Sequence, residues 1–369
     1  MGKSAGKEIW DSRWSTLTPE SEIRMWDFFG LRHWILKYTP RHGSVLDAGC
    51  GLGRNVFYLT GLGIDCIGLD LSEKAMARIQ EYRQKGRLKG KFCRGEVKSL
   101  PFADNCLSGY LSGGVMEHFV EGPQIVLAEA FRILRPGGIA IISTPSLSFS
   151  QVLLQTKTKM KRNITKTMRR IKGSQISQYK FFQYWYTPRK LKSFIQNAGF
   201  NVVIAKGAGL LYSFYELGYI PERSSLFNKA ISKLENTFIA NIGAQAITIS
   251  YKPASEMYCF LCGELKVKDD GKMKTAVPIC GECLDKPYAK YYMEFDRPQL
   301  RYTYLVNPVF STDDRVTCEY CGREYKIHEI FECYGFARRV CPSCLRDSKI
   351  NIELSNSYVQ PIWRERGRW

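Results

Sequence analysis

A chain of 369 residues, 44% hydrophobic and 13% aromatic, can bury a substantial core and exceeds one average domain, which excludes global disorder. Its formal charge of +19 is uneven: residues 1–150 carry +4, residues 151–250 carry +13 and residues 251–369 carry +2. No apolar run approaches the roughly 20 residues that span a bilayer and the N-terminus lacks a signal peptide's apolar core, so a cytoplasmic protein is expected, peripheral at a membrane if the basic middle segment meets one.

In chain order, Ile23, Trp26, Phe29, Leu31 and Ile35 fall at helical spacings within residues 8–39, the pattern of one or two amphipathic helices ahead of a sheet. Ser44–Ala48 reads as a first strand and Gly49–Gly53 as the turn into a helix. Ile64–Leu69 reads as a second strand, and Ser72 is a good N-cap for the helix after it. Residues 106–112 and 138–143 are further strands, with Gln124–Leu134 as the helix between them and Arg135-Pro-Gly-Gly138 as its stop. Alternation of this kind predicts an α/β fold, a Rossmann-like, doubly wound and mostly parallel sheet.

After Pro145 the rhythm breaks into a basic insert, residues 150–178. Thr187 and Pro188 cap a helix over 187–198, Phe200–Ala205 is a strand, and Ala246–Ser250 is the last apolar strand before the composition changes near Pro253. The expected domains are therefore 1–252 and a cysteine-rich region, 253–369.

The constellation Val45-Leu-Asp-Ala-Gly-Cys-Gly-Leu-Gly53 carries chemistry. Gly49, Gly51 and Gly53 let the backbone turn tightly and approach a ligand without Cβ obstruction, and the following helix aims its positive end at the same space. Asp70, at the end of the second strand, can accept the hydroxyls of a ribose. Asp47 sits two residues before the first glycine, badly placed beside a pyrophosphate yet suited to the ammonium of a methionine moiety. That favours S-adenosylmethionine over a dinucleotide.

Asp47–Gly53, Gly68-Leu-Asp-Leu-Ser72, Glu96 with Leu100-Pro-Phe102, Glu117-His118 and Leu134-Arg-Pro-Gly-Gly138 resemble the motifs of class I S-adenosylmethionine-dependent methyltransferases in their usual order. The branch most resembled contains the ubiquinone/menaquinone C-methyltransferases. The resemblance implies that Asp47, Gly49, Gly51 and Gly53 surround the methionine portion of the cofactor, that Asp70 holds the ribose, and that Leu71 packs on the adenine. Glu96 and Val97 would stand near the adenine amino group, although the family more often has Asp at the acidic position. Ser112 and Gly113 would line the loop after the fourth strand. Trp10 and Trp14 resemble an aromatic segment that closes over the cofactor, with plain helix packing as the alternative.

Methyl transfer is an in-line displacement, so alignment and desolvation can supply much of the catalysis. A base is needed only where the acceptor must lose a proton. His118 is the catalytic candidate, with Glu117 to orient it; a packing role is the alternative.

Within the insert, Lys157, Lys159, Lys161, Arg162, Lys166, Arg169, Arg170 and Lys172 interleave with Met160, Ile164, Met168 and Ile171. A basic amphipathic helix over 156–172 would suit a membrane surface or an anionic, lipid-linked acceptor. RNA is the weaker reading: Phe181–Tyr186 could stack on bases, yet no RNA-binding signature accompanies it.

Of the 13 cysteines, nine lie between Cys259 and Cys344. Cys259-x2-Cys262 and Cys280-x2-Cys283 form one set, and Cys318-x2-Cys321 and Cys341-x2-Cys344 a second, in modules of about 257–300 and 314–350. Two four-thiolate zinc sites follow from the spacing, with iron as the rival metal. Closed sites of this kind leave no open position for catalysis, so scaffolding or recognition of a protein partner is expected of them. Two rival functions stay open: an RNA or protein methyltransferase whose zinc modules dock the macromolecule, and a non-catalytic assembly factor.

Overall fold

The computed structural model describes residues 7–19, 22, 31–84, 90–149, 152–153, 182–216, 231, 234, 238–268, 277–285, 315–317, 321–326, 331–334, 338–340 and 358–361. The basic segment 156–172 and Cys318, Cys341 and Cys344 lie outside these residues. Helices α1 (Lys7–Thr16) and α2 (Arg32–Tyr38) precede the sheet. Strand β1 (Val45–Ala48) leads to α3 (Arg54–Gly61), β2 (Cys66–Asp70), α4 (Glu73–Gln84), β3 (Lys91–Arg94) and β4 (Leu107–Gly113). A 3₁₀ turn (Met116–His118) and α5 (Gln124–Ile133) lead to β5 (Leu134–Pro145). Beyond it come α6 (Pro188–Asn197), β6 (Asn201–Ala208), α7 (Leu210–Glu216), a 3₁₀ turn (Phe238–Ile242) and β7 (Gln245–Tyr251).

The seven strands form one sheet in the order β3-β2-β1-β4-β5-β7-β6. All pairings are parallel except those of β7, which runs antiparallel to β5 and β6. The sheet is buried on both faces, as a parallel sheet must be. Val45, Ile139, Ile141, Ile247 and Ile249 pack on one side with Val56, Tyr58 and Leu59 of α3. Leu46, Ala48, Ala140 and Ile142 pack on the other with Leu127 and Ala130 of α5 and Leu191 and Ile195 of α6. Period-two alternation along each strand thus feeds two helical layers.

Local signals account for the helix starts. The Thr187 hydroxyl accepts the Lys190 N–H, with Pro188 opening α6. The Ser72 hydroxyl accepts the Ala75 N–H at 3.1 Å to start α4. Leu134–Gly138 behaves differently from the sequence expectation: α5 stops at Ile133, and the Arg-Pro-Gly-Gly segment is drawn into β5. Leu134 pairs with Leu107, and the Gly137 N–H reaches the Lys252 carbonyl at 2.8 Å, so sheet pairing overrides the turn residues.

The first cysteine module is a hairpin, β8 (Glu256–Tyr258) with β9 (Leu265–Lys268), followed by the short helix α8 (Gly281–Leu284). Met257, Phe260, Leu261, Val267, Val277 and Ile279 join the same apolar cluster as Ile139, Ile249 and Tyr251 of the sheet. A continuous core therefore crosses the compositional boundary at residue 252. Arg135 lies over the Tyr258 ring at 4.3 Å, and the His42 Nε2 meets the Leu261 carbonyl at 2.7 Å. Strands β10 (Arg315–Thr317) and β11 (Glu324–Lys326) form a second hairpin flanking Cys318–Gly322. β12 (Phe331–Tyr334) pairs with β13 (Arg338–Val340) and β14 (Tyr358–Pro361).

Candidate active site

Parallel α/β sheets bind ligands beyond the carboxyl ends of their strands, where the strand order reverses. Here β1 lies between β2 and β4, and the Gly49–Gly53 loop leaves its carboxyl end. Gly49, Gly51 and Gly53 all have positive φ, of 76°, 54° and 80°. The Gly49 and Cys50 N–H groups both reach the Leu69 carbonyl, at 2.7 and 3.0 Å, so the loop is tied to β2. A Cβ on Gly51 would stand 2.9 Å from the Trp14 ring, and one on Gly49 would collide with Val115. The loop is a cradle that any side chain would obstruct.

Asp70 braces that cradle. One carboxylate oxygen accepts the Gly51 N–H at 2.8 Å and the other the Ser72 N–H at 2.9 Å. A carboxylate offers about four acceptor sites, so capacity remains for a ligand hydroxyl. Burial raises its pKa, and the backbone N–H groups of Ser72, Gly51 and Leu71 pull it back. Asp47 is more deeply buried, at 2% exposure. Its Oδ1 accepts the Asn55 amide at 3.1 Å, whereas Oδ2 is buried with no hydrogen-bond partner among the described residues. Burial lifts the Asp47 carboxyl to about 6 against the opposing pull of Asn55. An ammonium set against that oxygen would satisfy it and restore the charged form. The orphaned oxygen, the glycine cradle and the spare capacity of Asp70 together fit S-adenosylmethionine.

The remaining sequence-derived positions frame this space. The Gly95 N–H reaches the Asp70 carbonyl at 3.1 Å, which sets the loop of Glu96 and buried Val97 beside the end of β2. Glu96 Oε1 accepts the Lys98 N–H at 3.4 Å. Leu71 is half-buried next to Asp70. Ser112 is buried near the end of β4, where Gly113 is exposed and pairs with Ser143 of β5.

His118 lies at the same edge, inside an aromatic enclosure. Trp10 meets it edge-on at 4.6 Å and Phe182 at 4.9 Å between ring centroids, and Trp10 and Trp14 stack at 6.3 Å. Its Nδ1 lies 2.8 Å from the Phe182 carbonyl. The Glu117 carboxylate stands 3.6 Å from Nε2, beyond hydrogen-bond range. Backbone groups, the Phe182 carbonyl 64 residues away and that of Gly114, therefore engage the imidazole, and Glu117 does not. Burial lowers the His118 pKa and keeps the ring neutral near pH 7. Glu117 has no exposed surface, and neither carboxyl oxygen finds a partner on another described residue; burial pushes its pKa up to about 8.

Sequence reasoning missed several supports. Phe92 of β3 packs against Gly53 and Gly68, and Asp11 of α1 accepts the Ser72 hydroxyl at 2.5 Å. The N-terminal helix is thereby fixed to the cap of α4, which no local spacing announces.

At the opposite end of the sheet, the sulfurs of Cys259, Cys262, Cys280 and Cys283 all lie within 4.8 Å of one another. Zn–S bonds of about 2.3 Å place tetrahedral thiolates about 3.8 Å apart, and Cys262 and Cys280 stand 3.9 Å apart. None of the four is in a disulfide. Gly263 turns with φ 76° after the first pair, and Gly322 repeats this with φ 69° after Cys321. Cys321 is the described member of the second set.

The sheet order, the glycine cradle after β1 and the acid ending β2 together make a Rossmann-like α/β domain with a ligand-sized cradle at the carboxyl edge of its sheet. Residues 46–142 match the family described as Methyltransferase domain. The chain is 33% identical over 112 residues to malonyl-[acyl-carrier protein] O-methyltransferase from Pectobacterium atrosepticum, covering 30% of this chain and 42% of the relative. It is 33% identical over 108 residues to a probable S-adenosylmethionine-dependent methyltransferase from Mycolicibacterium smegmatis, covering 29% and 40%. These matches thus span about two-fifths of each relative. A solved S-adenosylmethionine-dependent methyltransferase from Methanosarcina mazei is 18% identical with a TM-score of 0.41, covering 60% of this chain and 97% of that one. No helix among the described residues is long and apolar enough to cross a membrane.

Proposed function

We propose that the protein transfers a methyl group from S-adenosylmethionine to a small or lipid-linked, anionic acceptor. The observation that carries this reading is the pairing of a Cβ-free cradle at Gly49–Gly53 with two buried carboxylates, Asp47 and Asp70, at its ends. Asp47 would hold the methionine ammonium and Asp70 the ribose, with Leu71, Glu96 and Val97 around the adenine. When bound, the sulfonium supplies an electrophilic methyl group. The chain's own work is to align it, exclude water and, for a protic acceptor, take up a proton. His118 suits the last task because it lies at the edge of the cradle with its ring held by the Phe182 carbonyl and kept largely from water. The +13 charge of residues 151–250 supports the anionic character of the acceptor. The resemblance to the quinone methyltransferase branch and the acyl-carrier-linked acceptor named for the Pectobacterium relative support a lipid-linked one.

The four-cysteine centre at Cys259–Cys283 is proposed to hold one zinc ion as scaffold, and Cys318, Cys321, Cys341 and Cys344 a second. Its position at the amino end of the strands, away from the cradle, supports a structural role. Titration calorimetry tests the donor site. Wild-type protein is expected to bind S-adenosylmethionine, and Asp70→Ala to weaken binding by about 1–3 kcal/mol through lost charge-assisted hydrogen bonds. Equal affinities would remove Asp70 from the site, and absent binding in the wild type would overturn the proposal in favour of a non-catalytic assembly factor.

A further inference from the structure

An apolar cavity lies at the carboxyl edge of the sheet, on the other side of β4 from the glycine cradle. Its volume is about 250 Å³, and its wall presents no polar surface. Phe149, just past β5, and Phe214 of α7 form one side, their rings T-shaped at 5.4 Å. Leu210 extends that side, Ile231 and Leu234 add to it, and Ile239 and Ile242 close it from the turn that enters β7. The reversed direction of β7 brings these pieces together. Pro145 at the end of β5 pairs with Gln245 at the start of β7, which pairs with Ala208 at the end of β6. Gly113, beside the cradle, pairs with Ser143 on the same edge.

Two features separate this cavity from a flaw in packing. Ile242 lines it and keeps 49% of its surface exposed, so the apolar wall runs out to solvent. Leu147, Val152 and Leu153, on the same post-β5 segment as Phe149, are each about half exposed. An apolar wall that opens to solvent in this way is of the kind that marks a ligand or interaction site. An apolar cavity of roughly 150 Å³ stays dry and accepts a benzene-sized guest. This one is larger, yet below the roughly 300–1,000 Å³ of a pocket for a whole drug-sized ligand. A flexible chain fits those limits better than a complete acceptor.

We propose that this cavity binds the hydrocarbon chain of the methyl acceptor, an acyl or isoprenoid tail, and holds its reactive head toward the cofactor. The proposal rests on the methyltransferase reading and narrows its acceptor to molecules with such a tail. Fluorescence titration of the full chain with cis-parinaric acid, in the presence of S-adenosylmethionine, tests it. Saturable binding at one site per chain is expected, weakened at least tenfold in Leu234→Trp, which fills the cavity. Displacement by farnesol at lower concentration than decanoate assigns an isoprenoid tail, and the reverse order assigns an acyl tail. Should Leu234→Trp fail to fold, Ile242→Ser at the half-exposed rim is expected to weaken parinarate severalfold. S-Adenosylmethionine affinity by calorimetry should stay within twofold in either variant. No saturable parinarate binding, or equal binding in wild type and folded variant, overturns the cavity assignment while leaving the donor site standing. Absence of S-adenosylmethionine binding in the wild type overturns the methyltransferase reading instead, and with it the identification of the guest as an acceptor.

Discussion

Glu117→Gln should flatten the pH dependence of stability. The carboxyl has no exposed surface, and its oxygens lack partners on other described residues. Its pKa accordingly moves from 4.5 to about 8 through burial. Below about pH 4.5 the group is neutral in both folded and unfolded chains. Between there and pH 8 the folded chain keeps a proton that the unfolded chain has released, so stability falls as pH rises. At about 1.4 kcal/mol per pH unit, the fall accumulates to on the order of 5 kcal/mol by pH 9. Asp47 titrates in the same direction over a lower window, up to about 6, and because both proteins contain it, its contribution cancels in their difference. Urea denaturation of wild type and Glu117→Gln, followed by tryptophan fluorescence from pH 5 to pH 9, measures that difference. The variant should gain on the wild type as pH rises, with most of the gain by pH 8. A difference constant to within about 0.5 kcal/mol would show that Glu117 is solvated or paired, and the reasoning from its burial would fail.

Gly51→Ala should leave the fold intact by circular dichroism but reduce S-adenosylmethionine affinity by tenfold or more, because φ is 54° and the new Cβ would press on Trp14; unchanged affinity in calorimetry would argue against a cradle. His118→Ala should leave that affinity within about twofold and lower radiolabelled methyl transfer to a lipid extract by roughly 10²-fold or more, in the range of lost general-base catalysis; unaltered transfer, with chemistry rate-limiting, would reduce His118 to packing. Elemental analysis of protein purified without added metal should find two zinc ions per chain, and one fewer in Cys280→Ser; iron, or no metal, would refute the zinc assignment. The same Cys280→Ser variant should lower the unfolding midpoint of the whole seven-stranded domain, since its module shares the core of the sheet; an unchanged midpoint would mean that the module folds on its own.

The geometry of the proposed donor site was legible because it is local in sequence. A turn with three positive-φ residues needs glycines at fixed offsets, and Asp70 ends the next strand, where its carboxylate accepts the Gly51 N–H. Thr187-Pro188 marked a helix start for the same reason. The four-residue strand Lys91–Arg94 did not register, because charged ends and short length conceal an edge strand whose Phe92 packs under the glycines. The environment of His118 was unreadable, since the Phe182 carbonyl arrives from the far side of the insert and backbone atoms carry no sequence signal. Cysteine spacing grouped Cys259, Cys262, Cys280 and Cys283, which the structure brings together, but it could not say which surface they would sit on. The docking depends on Met257, Phe260 and Leu261, ordinary apolar residues whose partner is decided by the fold.

The continuous core across residue 252 bears on how the chain can be divided. A fragment ending there would leave Ile139, Ile249 and Tyr251 facing water on the underside of its sheet, where Met257, Phe260 and Leu261 cover them in the intact chain. Such a fragment would carry every residue of the donor site and still be prone to aggregation, because the cover is lost along with the cysteines. The practical unit for expression runs at least to Leu284, the end of the short helix that carries Cys283.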